Sequence, residues 1–156
     1  MRNLIFTLFI LTVLSSCAQR AQKLQTATPA TEISIPENEN PIVNKYWKLI
    51  SLQGKAIQMA ENQEREQYFI LRSDGTLTGF AGCNQFHGRF ELRDGDRIRF
   101  NKNLATTRKA CPNGDIDEND FLNVFKVIDN YSINGDTLHL NVGKRAALAI
   151  FEAVYF

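Results

Sequence analysis

Apolar and polar residues alternate with a period of two in several short runs, and turn dipeptides separate the runs. Phe90 and Leu92 alternate with Arg89 and Glu91, and Ile98 and Phe100 alternate with Arg97 and Arg99. Successive side chains of a strand point to opposite faces, so these runs are expected to be half-buried strands with a solvated outer face. Asp94-Gly95 divides the two runs, Asp74-Gly75 divides 68–71 from 76–80, and Asn134-Gly135 divides 131–133 from 137–140. Asp-Gly and Asn-Gly supply the positive φ of tight hairpins, which predicts antiparallel sheet instead of parallel βαβ units. Residues 46–52 read as an opening strand. The run 147–155, apolar on both faces for much of its length, reads as a more central one.

One segment changes period. Phe121, Val124, Phe125 and Ile128 fall at i, i+3, i+4 and i+7, the single apolar stripe of an amphipathic helix. Asp115, Asp117, Glu118 and Asp120 cluster at its start, where the helix macrodipole favours negative charge. The stripe needs a partner, and the curved inner face of the sheet is the available one. The expected fold class is therefore α+β: a strongly twisted antiparallel sheet or partly open barrel with one packed amphipathic helix.

The N-terminal end follows a different pattern. Residues 4–14 are apolar apart from Thr7 and Thr12, and Arg2 precedes them. As a helix they would span roughly 16 Å, about half a bilayer core, which fits a secretory signal better than a membrane span. Leu14-Ser15-Ser16-Cys17 then resembles the lipobox of bacterial lipoproteins, whose cysteine thiol is acylated after cleavage. Residues 18–44 carry Pro29, Pro36 and Pro41 among Ala, Gln, Thr, Glu and Asn, without large aromatics or a consistent apolar period. That composition is a tether's. The expected organisation is a signal peptide over 1–16, a lipidated N-terminus and disordered tether over 17–44, and a folded domain over 45–156. No Asp or Glu closely follows Cys17, which by resemblance to lipoprotein sorting places the protein in the bacterial envelope, at the outer membrane facing the periplasm.

Composition narrows the function classes. The chain has 156 residues, 44% hydrophobic and 22% charged, with 18 Lys+Arg against 17 Asp+Glu. This is ordinary globular usage with no basic excess, so a nucleic-acid partner is not expected. With Cys17 assigned to lipid, Cys83 and Cys111 remain. In an oxidising compartment a lone pair is usually bridged where geometry permits, and two separate buried thiols are the alternative.

The same cysteines sit in two motifs. Gly79-Phe80-Ala81-Gly82-Cys83-Asn84-Gln85-Phe86-His87-Gly88-Arg89-Phe90 resembles the glycine-cysteine-asparagine signature of the META domain, or HslJ-like, family. Ala105-Thr106-Thr107-Arg108-Lys109-Ala110-Cys111-Pro112 resembles the family's second signature, with Lys109 where methionine is frequent. The order is also similar: a Trp47 strand, both signatures, Glu118 leading the helix, then a hairpin. The resemblance implies a barrel-like α+β domain of exported bacterial proteins, without established catalytic activity and with associations to stress tolerance. It marks Gly82, Asn84, Phe86, Gly88, Thr107, Arg108 and Pro112 as motif positions, structural or binding.

Other chemistry is thinly signalled. Cys83 with His87 as base would make a thiol enzyme, yet on an extended strand their Cα atoms lie about 13 Å apart and no triad is recognisable. Cys83, His87, Cys111 and His139 lack the tight spacing of a zinc site. Asp115-Ile116-Asp117-Glu118-Asn119 starts like a calcium loop, but Asp120 and Lys126 stand where glycine and glutamate belong. Neither a metal, nor a cofactor, nor a catalytic residue is therefore expected. Arg89, Arg93, Arg97 and Arg99 make a basic hairpin, read mainly as a solvated sheet face and secondarily as a contact for anionic lipid or an acidic partner. Arg108 is a candidate for a buried ion pair with Glu118 or another carboxylate. Phe86, Phe90 and Phe100 are candidates to line a small apolar cavity.

The expected function is a non-catalytic envelope lipoprotein, bound to the membrane by its lipid and acting through an envelope protein or a small apolar ligand. The alternative is a thiol-dependent enzyme or redox protein using Cys83 or Cys111.

Overall fold

The computed structural model describes residues 40–59, 61, 63–110 and 118–156. Ten strands form one antiparallel sheet: β1 (Tyr46–Leu52), β2 (Lys55–Ala56), β3 (Tyr68–Leu71), β4 (Thr76–Phe80), β5 (Gln85–Arg93), β6 (Arg97–Phe100), β7 (Ala105–Thr106), β8 (Asn130–Asn134), β9 (Thr137–Asn141) and β10 (Ala149–Val154). The helix among the described residues, α1 (Glu118–Val127), falls between β7 and β8. The strand order is β10-β9-β8-β6-β5-β4-β3-β1-β2, and β1 also pairs with β10, so the sheet closes on itself as a ring. Its weakest joint is β6–β8, a single residue pair, Arg97↔Asn130.

Each expected hairpin forms at its turn dipeptide, because glycine there takes the positive φ that a tight reversal needs: 81° at Gly75, 72° at Gly95 and 57° at Gly135. In β5 the expected alternation holds, with Phe90 and Leu92 half-buried between the exposed Arg89, Glu91 and Arg93. That strand starts earlier than the alternation suggested, at Gln85, because β4 and β7 flank its first half. The apolar run near the C-terminus is flanked on both sides, by β1 and β9. It nonetheless alternates in burial, and Ile150, Glu152 and Val154 lie on its outer face.

Two elements gave no clear sequence signal. A hairpin joins β1 to β2 through Gln53 (φ 51°) and Gly54 (φ 80°), a two-residue loop with both φ positive but with glutamine in place of the usual Asn or Asp. Upstream, Ile42 and Val43 are buried, and the Ile42 carbonyl accepts the Trp47 Nε1–H at 2.8 Å. The packed body thus includes residues 40–44, and the expected tether loses these last five residues to it. Its remainder, residues 17–39, lies outside the described residues, as does the signal segment.

Aromatic rings fill the interior. Phe125 of α1 lies with its ring centroid 5.4 Å from Phe69 of β3, 5.3 Å from Phe86 of β5 and 5.1 Å from Phe100 of β6. Phe121 adds contacts to Phe86 and to Phe151 of β10. The helical stripe read from the sequence therefore meets side chains from four strands spread around the ring.

Near the β6–β8 joint, Asp129 ties two segments together. Its carboxylate accepts the Gly143 N–H at 2.8 Å and an Asn130 Nδ2–H at 2.7 Å. The Gly143 bond, then the Asn130 bond, and to a lesser degree the charge of Arg97 hold its pKa below the ordinary carboxylate value. A carboxyl depressed in the folded state stabilises above its unfolded pKa, and the contribution disappears as pH falls through the native value. Asp129→Asn is expected to flatten the acid limb of the stability–pH profile, measured by urea unfolding between neutral pH and the strongly acidic range. Parallel profiles for variant and wild type would contradict it.

Candidate functional site

The two signature segments converge on one polar knot. Gly82 adopts φ 113°, a conformation that L side chains rarely adopt. The turn it makes lets two successive N–H groups reach one acceptor: those of Cys83 (3.3 Å) and Asn84 (2.6 Å) both donate to Glu118 Oε1. The second carboxylate oxygen accepts Asn84 Nδ2–H at 2.8 Å. Glu118 is the first residue of α1, so one side chain fastens the start of the helix to the turn between β4 and β5.

Asn84 faces the second signature with its other end. Its Oδ1 accepts the Thr107 hydroxyl and the Lys109 N–H, both at 2.8 Å. The Thr107 hydroxyl oxygen in turn accepts the Gln85 N–H at 3.1 Å, while the Thr107 N–H donates to the Gln85 carbonyl at 3.0 Å. Asn84 is 7% exposed, and its amide joins the first signature, the second signature and the helix. A buried amide is costly without partners, and here donor and acceptor ends are both engaged. Below the turn, the buried Gln67 donates from Nε2 to the Ala81 carbonyl at 3.3 Å. Its Oε1 is buried with no hydrogen-bond partner among the described residues.

The other motif residues have structural surroundings. Phe86 is buried against Phe121 and Phe125. A Cβ on Gly88 would come within 2.5 Å of Leu104 Cδ2, and one on Gly79 would collide with the Phe86 ring and the Tyr68 carbonyl oxygen. Glycine at both positions meets a close approach. Asn84 does not cap a turn locally; its side chain bridges segments far apart in sequence. Arg108 differs from expectation. It is exposed and makes no ion pair with Glu118, whose carboxylate is taken by backbone and amide donors instead.

Cys83 is disulfide-bonded, so its sulfur is no free nucleophile. Cys17, Cys111 and Pro112 lie outside the described residues, as do Asp115 and Asp117. His87 sits exposed on β5, and His139 lies half-buried on β9, opposite Ile150 and Ser132. Among the described residues, no three His, Cys, Asp or Glu side chains are grouped to hold a metal ion. Phe86 and Phe100 pack on Phe125, while Phe90 is half-buried beside Phe100, with ring centroids 6.3 Å apart. Arg89, Arg93, Arg97 and Arg99 are all exposed. Arg93 bonds Glu91 at 2.9 Å, and Arg89 reaches the Asp74 carbonyl at 3.2 Å.

Three comparisons bear on this arrangement. The family model of the META domain matches residues 40–155. No curated protein matches the chain. Among solved structures, the chain is similar to a protein from Burkholderia xenovorans determined by NMR, with TM-score 0.57 and 24% identity over 82% of this chain and 97% of that one. It is also similar to a DUF4847 family protein from Bacteroides vulgatus ATCC 8482, with TM-score 0.51 and 15% identity over 72% of this chain and 94% of that one. At these identities the likeness is one of fold.

Proposed function

The chain belongs to the META domain family, and from that premise we propose that it is a non-catalytic lipoprotein of the bacterial envelope. In this reading Cys17 is acylated and tethers the domain to the outer membrane, facing the periplasm, where the domain supports stress tolerance or assembly by binding another component. Several acyl chains, at about 0.8 kcal/mol per buried CH₂, give a stable anchor. The sheet is ring-like and not the partly open barrel expected, because β6 and β8 share a single residue pair, and we read α1 as packed on its inner face, which the contacts of Phe121 and Phe125 support.

The observation that carries the non-catalytic reading is how the signature side chains are used. Asn84, Thr107 and Glu118 bond one another, the Cys83 sulfur is in a disulfide, and Phe86 is core. A reactive centre would instead need a thiolate or base held open to substrate. We assign Cys111 as the partner of Cys83, since Cys17 is spent on lipid.

Intact-mass measurement of protein isolated from bacterial envelopes tests both assignments. A mature chain starting at an acylated Cys17, with Cys83 and Cys111 linked in non-reduced peptides, is the expected result. Unmodified Cys17, or Cys83 alkylated without reduction, would overturn the reading. Closing the loop from Cys83 to Cys111 stabilises by roughly 3 kcal/mol in the chain-entropy model. The Cys83→Ser/Cys111→Ser double variant is therefore expected to melt several degrees below the oxidised wild type, and equal melting temperatures would remove the bridge's stabilising role.

A further inference from the structure

Among the described residues, β6 has an edge left open beyond its joint with β8. Phe90 donates its N–H to the Gly75 carbonyl, so its peptide groups face away from β6, and those of Phe100, directly opposite, face away from β5. On that outer side Ile98 donates to the Asp129 carbonyl at 3.2 Å. Beyond it β6 and β8 part, for their ladder is the single pair Arg97↔Asn130. Alternation turns the N–H and C=O of Phe100 the same way as those of Ile98, where no strand among the described residues lies alongside.

What lies there is a cleft of about 580 Å³ between β6 and the C-terminal end of α1. Val127, which is 51% exposed, supplies apolar surface, and the buried Ile98, Phe100, Phe125 and Ile128 form the floor beneath it. Arg97, Arg99, Lys102 and Lys126 bring positive charge to its walls. Among the described residues, the side chains of Arg97, Arg99 and Lys102 have no ion pair within 4 Å and no hydrogen bond. The acidic residue of the cleft, Asp129, already accepts from Gly143 and Asn130. The charge of Arg97 acts on Asp129 and that of Arg99 on Glu91, its partner across the ladder, yet the walls of the cleft keep more cations than carboxylates, a local positive excess on a chain of net charge +1.

We infer that this cleft binds an acidic, extended segment of a partner polypeptide, which adds as a strand to β6 at Phe100. Strand addition uses the backbone groups that the ring leaves open, the cations select carboxylates, and the apolar lining takes alternate side chains. The same charges keep out a second copy of this chain, whose edge would bring arginine against arginine. A small anion alone would use neither the strand edge nor the apolar lining. The inference rests on the reading of the domain as a binding module and gives that module's partner a chemistry.

The test uses the full chain in detergent solution and a peptide of alternating glutamate and valine. Titration calorimetry measures affinity, and NMR follows exchange of the Phe100 amide. The peptide is expected to bind, to lose affinity with added salt, and to slow Phe100 exchange. Arg97→Glu/Arg99→Glu is expected to weaken it about tenfold or more, and Lys102→Glu/Lys126→Glu, on other segments, is expected to act in the same direction. N-methylating alternate residues of the peptide keeps its charge but removes strand hydrogen bonds, and should abolish binding.

Equal binding of the N-methylated peptide would overturn strand addition. So would inorganic phosphate or phosphatidylglycerol vesicles occupying the cleft as well as the peptide does, or no peptide binding at all. An acylated, disulfide-closed protein that ignores the peptide would sink this inference and spare the lipoprotein reading. An unacylated protein that binds it would do the reverse.

Discussion

Gly79→Val is expected to prevent the domain from reaching its native packing, with a loss of more than about 4 kcal/mol of stability. Gly79 lies in β4, paired with Phe69 on one side and Phe86 on the other. A Cβ there would strike the Phe86 ring and the Tyr68 carbonyl oxygen. The carbonyl belongs to the sheet backbone and cannot turn aside. Phe86 can move only by leaving its contacts with Phe121 and Phe125. Overpacking of a core ordinarily costs roughly 1–3 kcal/mol, and here the displaced ring adds the cost of a partly emptied core, roughly 3–5 kcal/mol for a phenylalanine. Urea unfolding and near-ultraviolet circular dichroism measure the loss. Gly79→Ala should cost less, and Phe86→Leu should recover part of that cost, as contacting residues do in a double-mutant cycle. Strict additivity of the two substitutions would contradict the proposed collision.

Asn84→Ala is expected to cost about 4 kcal/mol, more than a single hydrogen bond would suggest. The substitution removes a donor to the Glu118 carboxylate and an acceptor shared by Thr107 and Lys109. A hydrogen bond to a charged group contributes about 1.5–3 kcal/mol and each neutral one about 1 kcal/mol, before the penalty for stranding partly buried partners. Asn84→Asp should be no milder, because it puts a second carboxylate where Nδ2 donates to Glu118. Thr107→Val loses one arm of the knot and should cost a fraction as much. Denaturation midpoints for the three variants decide the matter, and an Asn84→Ala cost equal to that of Thr107→Val would show that the amide is no hub.

These two residues also mark how far the sequence could be read. The hairpins were legible because Asp74-Gly75, Asp94-Gly95 and Asn134-Gly135 advertise a backbone conformation that few residues adopt. The α1 stripe was legible because Phe121, Val124, Phe125 and Ile128 repeat with the helical period. Both signals are local. The knot is not: Asn84 and Glu118 are 34 positions apart, and an amide with one donor end and one acceptor end does not declare which of many partners it will meet. Glu118 read as an acid favoured by the helix dipole, and only the order of the family motifs hinted that it accompanies the asparagine. The strand β7 was illegible for a related reason, since two exposed residues have no burial pattern to reveal them. The open edge of β6 is likewise a product of topology, visible once Arg97↔Asn130 proves to be its sole ladder pair with β8.

The pairing of β1 with β10 sets the timetable of assembly. Tyr46 through Leu52 find their partners in Val154 through Ala149, far along the chain from them. A nascent chain therefore cannot complete the fold until β10 has left the ribosome, and closure must wait on a contact of high sequence separation, which is intrinsically slow to form. A chain that delays its own closure stays threadable for longer, an advantage for any protein that has to pass through a narrow channel before it folds.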